Sequence, residues 1–141
     1  MTMATNDGTR RQMKVLDATF LIDYLEGVES TREYLDEHST EQFVIPVPAI
    51  AEVLVGEGNG PNGDPAGVRR DLEWAEVYRV DERTAITAAA IAEEIGPSGP
   101  YLDANDALIA AVGRELDAPV VSADRDLTHP ETKRVVDVER Y

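Results

Sequence analysis

Short apolar segments that alternate with helical patterns predict an α/β fold, with a mainly parallel central sheet and right-handed crossovers between its strands. Two further observations agree. The chain has 141 residues, 43% of them hydrophobic, enough for one core and too few for two. Carboxylates recur where apolar segments end or helices begin, and sheets of this kind collect ligands along that one edge.

Residues 13–16 read as the first strand, and Asp17 stands where it must end. Thr19 is the expected N-cap of a helix over 19–26. That helix puts Phe20, Leu21, Tyr24 and Leu25 on one side, and Thr19, Asp23 and Glu26 on the other, so Asp23 is expected to meet solvent. Gly27 stops it, and a polar surface helix over 29–37 follows. The run FVIPVPAIAEVLV (43–55) predicts a strand over 43–45, a turn, and a helix from Pro48, where proline suits a first turn. Glu52 is the only ionisable group in that run, and a charge in apolar surroundings needs a partner, water or metal.

The glycine-rich segment 56–67 (GEGNGPNGDPAG) lacks the Lys-Ser/Thr of a P-loop and does not present GxGxxG straight after a strand, so it reads as a mobile connector. A helix over 68–75, a strand over 77–80 and an alanine-rich helix over 82–95 come next, before GPSGP breaks the chain. The helix expected over 101–116 carries Leu108, Ala111, Val112 and Leu116 on its core face. Asp103 and Asp106 share a side of its first turn. Asp103 can be a helix cap at the positive helix end or a ligand, and both readings stand. Asp106 lies inside the helix, on the side facing any crevice above the sheet, and reads as functional. A strand over 119–122 leads directly to Asp124, Arg125 and Asp126, and an edge strand is expected over 134–138. His38 and His129 lie in polar, turn-like surroundings and are not read as ligands. Residues 1–12 read as a disordered tail, and 13–141 as one domain.

The absence of cysteine excludes a disulfide scaffold, thiol catalysis and cysteine-ligated metal. No apolar run approaches the roughly 20 residues needed to span a bilayer, and the first dozen residues lack a signal-peptide core, so a cytoplasmic protein is expected. The 28 acidic residues against 13 basic ones give a net charge of -15, and only Lys14 and Lys133 are lysines. An acidic surface of this kind aids solubility; more sharply, it fits a halophilic source, where molar salt shortens the Debye length to about 3 Å and screens self-repulsion. The charge argues against a nucleic-acid partner. That objection weakens in concentrated salt, where phosphate contacts yield little counterion-release energy.

Asp17, Glu52, Asp103, Asp106, Asp124 and Asp126 all map to one edge of a parallel sheet. Two carboxylates about 5 Å apart repel by about 3 kcal/mol at an effective dielectric near 20, so four together require a cation or shared protons. Oxygen-only ligands suit Mg²⁺ or Mn²⁺ better than Zn²⁺. Such a site can activate water and stabilise charge on a phosphate.

The stretches VLDATFLIDYL, AEVLVG with Glu52, NDALIAA with Asp106 and VSADRDL with Asp124 resemble, in this order and spacing, the four acidic motifs of PIN-domain ribonucleases, and in particular those of VapC-type toxins. The resemblance runs from Val15 to Val138. It implies a three-layer fold with a sheet of four to five short strands, and Mg²⁺- or Mn²⁺-dependent endonucleolytic cleavage of RNA by water. It further implies that Asp17 binds metal with help from Thr19, that Glu52 is the second-motif acid, and that Asp106 is the third with Asp103 as auxiliary. In the fourth motif Asp124 and Asp126 match a variant with two spaced aspartates, and the choice between them stays open. A cognate antitoxin and a homodimer are also implied. Arg125 is either a phosphate contact or an ordinary surface arginine.

Two other readings differ in kind. A phospho-accepting receiver-like signalling module would need a lysine after its last strand, whereas Lys133 precedes the Val135-Val136 run. A catalytically silent PIN-like domain would only bind RNA or protein, which the retention of all the acids argues against. A phosphatase with an aspartate nucleophile would need an acid where Thr19 stands.

Overall fold

The structure, a computed structural model, describes residues 12–141; the predicted tail, apart from Gln12, lies outside the described residues. Five strands form the sheet: β1 (Met13–Leu16), β2 (Gln42–Pro46), β3 (Glu76–Tyr78), β4 (Val120–Val121) and β5 (Val138–Glu139). All neighbouring pairs are parallel, in the order β3-β2-β1-β4-β5. Val44, Val15, Val120 and Val138 fall in register across four of the strands, and all are buried. Consecutive residues of β1 from Lys14 to Leu16 are buried, so both of its faces are covered, which is why the strands are apolar runs without alternation.

The order has one reversal. From β1 the chain steps outward to β2 and β3, then returns to the other side of β1 for β4 and β5. The crevice beyond the carboxyl ends of β1 and β4 is therefore the switch point of the sheet, where ligands bind in open α/β folds. A receiver module has the order 2-1-3-4-5, which this sheet does not follow.

Among the described residues seven helices flank the sheet: α1 (Ala18–Leu25), α2 (Glu29–Glu37), α3 (Val47–Asn59), α4 (Pro65–Asp71), α5 (Glu82–Ile95), α6 (Ala104–Leu116) and α7 (Pro130–Lys133). Phe20 and Leu21 of α1, Ala49 of α3, Ile91 of α5 and Ile109 of α6 join the strand residues in one core. Helix α6 packs directly on the sheet. A Cβ added to Gly113 would stand 2.8 Å from Val120 Cγ2 and 3.0 Å from the Ala118 carbonyl, so glycine lets the helix rest directly on β4. Thr84, buried at the start of α5, donates to Glu115 of α6 at 3.1 Å and ties these two helices together. Among the described residues no helix is long and apolar enough to cross a membrane.

Several elements differ from their sequence expectation. Asp17, not Thr19, is the N-cap of α1: its carboxylate accepts from the Phe20 amide. Helix α3 runs through Gly56 and Gly58 to Asn59, and α4 begins at Pro65, so the glycine-rich stretch is largely helix-turn-helix. Glu57 accepts from the Asp64 amide at 2.9 Å, and Asp64 caps α4 through the Gly67 amide, which together fix the turn. Helix α6 starts after Asp103, and its buried side is Ala107, Ile109, Ala110, Ala111 and Val112, with Leu108 and Leu116 only partly covered. Small residues face inward there because α6 packs closely on both β4 and α5. The last strand is Val138–Glu139, later than expected, because the chain is still turning over 134–136 after α7. Strand β3 is one residue earlier than expected at its start and ends at Tyr78.

Candidate active site

The local sequence at the end of β1 dictates how Asp17 is held. The strand buries it to 2% exposure, and extended backbone at residue 17 turns the chain into α1. Its Oδ1 accepts from the Phe20 amide at 3.0 Å and the Thr19 hydroxyl at 2.7 Å; its Oδ2 accepts from the Ser122 hydroxyl. The Thr19 hydroxyl accepts in turn from the Ala123 amide at 3.0 Å, and the Ser122 hydroxyl from the Asp124 amide at 2.9 Å. The ends of β1 and β4 are thus laced together by side chains as well as by the Asp17 amide on the Val121 carbonyl. Thr19, expected as a cap, instead orients the carboxylate and bridges to β4.

Beyond β4 the chain folds around Asp124. Its Oδ2 accepts from the amides of Asp126 and Leu127 at 2.9 and 3.0 Å, while Leu127 is fully buried and anchors the turn. On α6, Asp103 is the N-cap and accepts from the Asp106 amide at 2.8 Å, so its capping reading is realised in the fold. That cap places Asp106 one residue short of the buried Ala107 and leaves it half-buried.

Electrostatics groups these acids. Burial is the main cause pushing the Asp106 carboxyl up to about 7, and the charges of Asp124, Asp103, Asp17 and Glu52 add to it. Burial likewise raises Asp17 to about 6, against the lowering effect of its three hydrogen-bond donors, and Asp124 adds repulsion. Asp124, not Asp126, is therefore the acid after β4 whose charge acts on both. Asp126 meets the cluster through its backbone, its amide on Asp124 and its carbonyl accepting from Thr132 at 2.7 Å.

Glu52 differs from its expectation. It is exposed on α3, whose buried side is Pro48, Ala49, Ile50 and Val53, so its charge carries no burial cost. Its connection to the site is the repulsion it exerts on Asp106. Arg125 is exposed and makes no ion pair among the described residues. Asp23 does not face plain solvent: it accepts from the Tyr141 hydroxyl at 2.6 Å, and the Tyr141 ring packs edge-on against Phe20 at 4.9 Å. His38 pairs with Glu41 and stacks on Tyr34, and His129 caps α7, so neither joins the acids. Sequence reasoning missed Ser122, a small polar residue in an apolar strand. The signal was its place at the strand end beside Asp124.

Among the described residues no three His, Asp or Glu side chains stand close enough together to enclose an ion as they are. The donor set nonetheless suits a hard cation. Every group is an oxygen, the charges acting most on Asp106 are all negative, and Oδ1 of Asp124 and Oδ2 of Asp103 accept no hydrogen bond from the described residues.

The family model for the PIN domain matches residues 14–133. No curated protein matches the sequence. Among solved structures the chain is similar to one in DNA-bound VapBC2 from Rickettsia felis, with 15% identity and a TM-score of 0.78 over 92% of this chain and 99% of the other. A chain of DNA-bound VapBC from Salmonella typhimurium matches with 21% identity and a TM-score of 0.74, covering 92% and 98%. One from VapBC-5, a toxin-antitoxin system of Mycobacterium tuberculosis, matches with 24% identity and a TM-score of 0.67, covering 91% and 96%. At these identities the likeness is one of fold.

Proposed function

The chain belongs to the PIN domain family, and on that premise we propose that it is a divalent-metal-dependent endoribonuclease, the toxin of a toxin-antitoxin pair, working in the cytoplasm. The observation that carries the reading is that half-buried Asp106 feels the charges of Asp124 and Asp17, which follow β4 and β1 at the switch point of the sheet. Mg²⁺ or Mn²⁺ held there supplies a Lewis acid and an activated water for phosphodiester cleavage.

In this reading Asp17, Asp106 and Asp124 are the metal ligands. Thr19 and Ser122 hold the Asp17 carboxylate in one orientation. Asp106, whose carboxyl is raised to about 7, would hold the cation as a carboxylate, its proton lost on binding. Asp103 fixes the first turn of α6, and Asp126 supports Asp124 through its amide, so both act as auxiliaries. Glu52 completes the negative wall from α3, and Arg125 is the candidate phosphate contact. Incubating structured RNAs with the protein, with and without Mn²⁺, tests the assignment: the wild type should cut only with metal, and Asp106→Asn should not cut. Equal activity in the two proteins overturns it. An inactive wild type that still binds RNA supports the binding-only alternative.

The antitoxin reading is supported by the neighbours, which are chains of VapBC complexes. A groove of about 460 Å³ beside the site is lined by Ile22, Leu25, Val53 and Val68 together with Glu26 and Glu52. A partner segment with an apolar stripe and basic flanks fits it and would lie against one of the site acids. Co-purification with the product of a small gene immediately upstream, and inhibition by it, is the expected result. A homodimer is part of the same reading, and light scattering at high salt checks it.

A further inference from the structure

Tyr101 is the most exposed large apolar side chain among the described residues, at 78%. Trp74 is partly exposed too, but its ring is engaged by Tyr24 and Phe43. The Tyr101 ring has no such aromatic partner among the described residues, yet it is fixed in place: its hydroxyl donates to the Pro97 carbonyl at 2.6 Å, and the next residue, Leu102, packs on the core. It precedes Asp103, the cap of α6, by two residues, so the two Cα atoms are at most about 7 Å apart. A pre-fixed aromatic ring thus belongs to the segment that leads into α6, whose first turn carries Asp106, while exposed Arg125 follows β4 next to Asp124.

The charge of the chain makes such a ring useful. A net charge of -15 leaves little attraction for a phosphate backbone, and salt weakens what remains. Stacking on an aromatic face needs no charge and accepts any base, because every base has a π-face. Single-stranded RNA is commonly held in this way. A ring already immobilised by its hydroxyl loses little further freedom on binding.

We propose that Tyr101 is the stacking platform for a nucleobase of single-stranded RNA, positioning the chain so that a neighbouring phosphate reaches the acids; this rests on the ribonuclease reading above. Tyr101 is a positioning residue in this role. The test compares the wild type, Tyr101→Ala, Tyr101→Phe and Tyr101→Trp on a fluorescent single-stranded oligoribonucleotide and on an abasic oligomer of the same length. Binding is measured in the Asp106→Asn background and cleavage in the active protein with Mn²⁺.

Tyr101→Ala should weaken binding of the base-bearing oligomer by about 5- to 100-fold and raise KM similarly, with kcat unchanged. The Phe and Trp variants, which keep a ring but not the hydroxyl that fixes it, should recover most of both losses, and the abasic oligomer should not distinguish the four proteins. A ring that merely props the loop would give the same losses on both oligomers, and that result overturns the proposal. Equal binding by wild type and Tyr101→Ala, with Mn²⁺-dependent cleavage intact, also overturns it while leaving the ribonuclease reading standing. No RNA binding and no cleavage by the wild type would end both.

Discussion

Replacing Asp106 by asparagine removes a charge that burial and four neighbouring acids oppose, so two effects separate. If Asp106 is the metal ligand proposed above, cleavage should fall by about 10³-fold or more, since such a ligand supports several kcal/mol of transition-state stabilisation. The metal-free protein should at the same time melt higher than wild type; a lower melting point would mean that the acids are not under mutual strain. The pH dependence has the same origin. Asp17 is raised to about 6 and Asp106 to about 7, both above the ordinary 3.8. Between about pH 4 and 7 the folded state therefore binds more protons than the unfolded one, and stability falls as pH rises through that window. For buried Asp17 alone the loss is about 3 kcal/mol. Urea unfolding at both ends of the window checks this, with the wild type losing more than Asp106→Asn. Added Mn²⁺ should raise the melting temperature at pH 7.5 by binding only the folded state.

At the scale of elements, α6 and β4 must touch for the site acids to meet. Gly113→Val would drive a side chain into Val120 and the Ala118 carbonyl, so it should cost about 1–3 kcal/mol, read as a lower denaturant midpoint. Ser122→Ala leaves Asp17 buried with one donor fewer and should cost about 1–3 kcal/mol. How far such elements could be read from sequence depends on how local their causes are. The first strand, α2 and α5 were legible to the residue, because apolar runs, caps and breakers lie within or beside them. The course of α3 through Gly56 and Gly58 was not, because the Glu57-Asp64 contact and packing on α4 override glycine's preference. The acids could be listed from strand ends alone, and the PIN resemblance ordered them. Which of Asp124 and Asp126 acts on Asp17 depends on the turn around Leu127, which no spacing rule encodes. Only the expected apolar surroundings of Glu52 failed, through periodicity: the helix that carries it has a wet side.

At the scale of the molecule, the parallel sheet was predictable from the alternation of elements but its strand order was not, while the surface charge carries a separate expectation. If the -15 charge is an adaptation to salt, RNA cleavage should persist in molar KCl and the fold should melt on dilution, as circular dichroism across a KCl series would show. Stability that does not change across the series would reject the adaptation. Lys14 bears on this, because it is buried with Glu139 at 2.8 Å and Glu41 at 3.4 Å, and its ion pairs should be less sensitive to salt than the surface pairs.

The clasp between the first and fourth strands joins Asp17 to Ser122 across 105 positions of sequence. During synthesis the hydroxyl that orients Asp17, and the acid after it, leave the ribosome only 105 or more residues later than Asp17 itself. On the ribonuclease reading proposed above, the protein would be inert until that pairing forms, beside the RNA that surrounds it. Chains arrested before Pro119 should neither gain stability from Mn²⁺ nor cut RNA, and activity should appear only once β4 has been released.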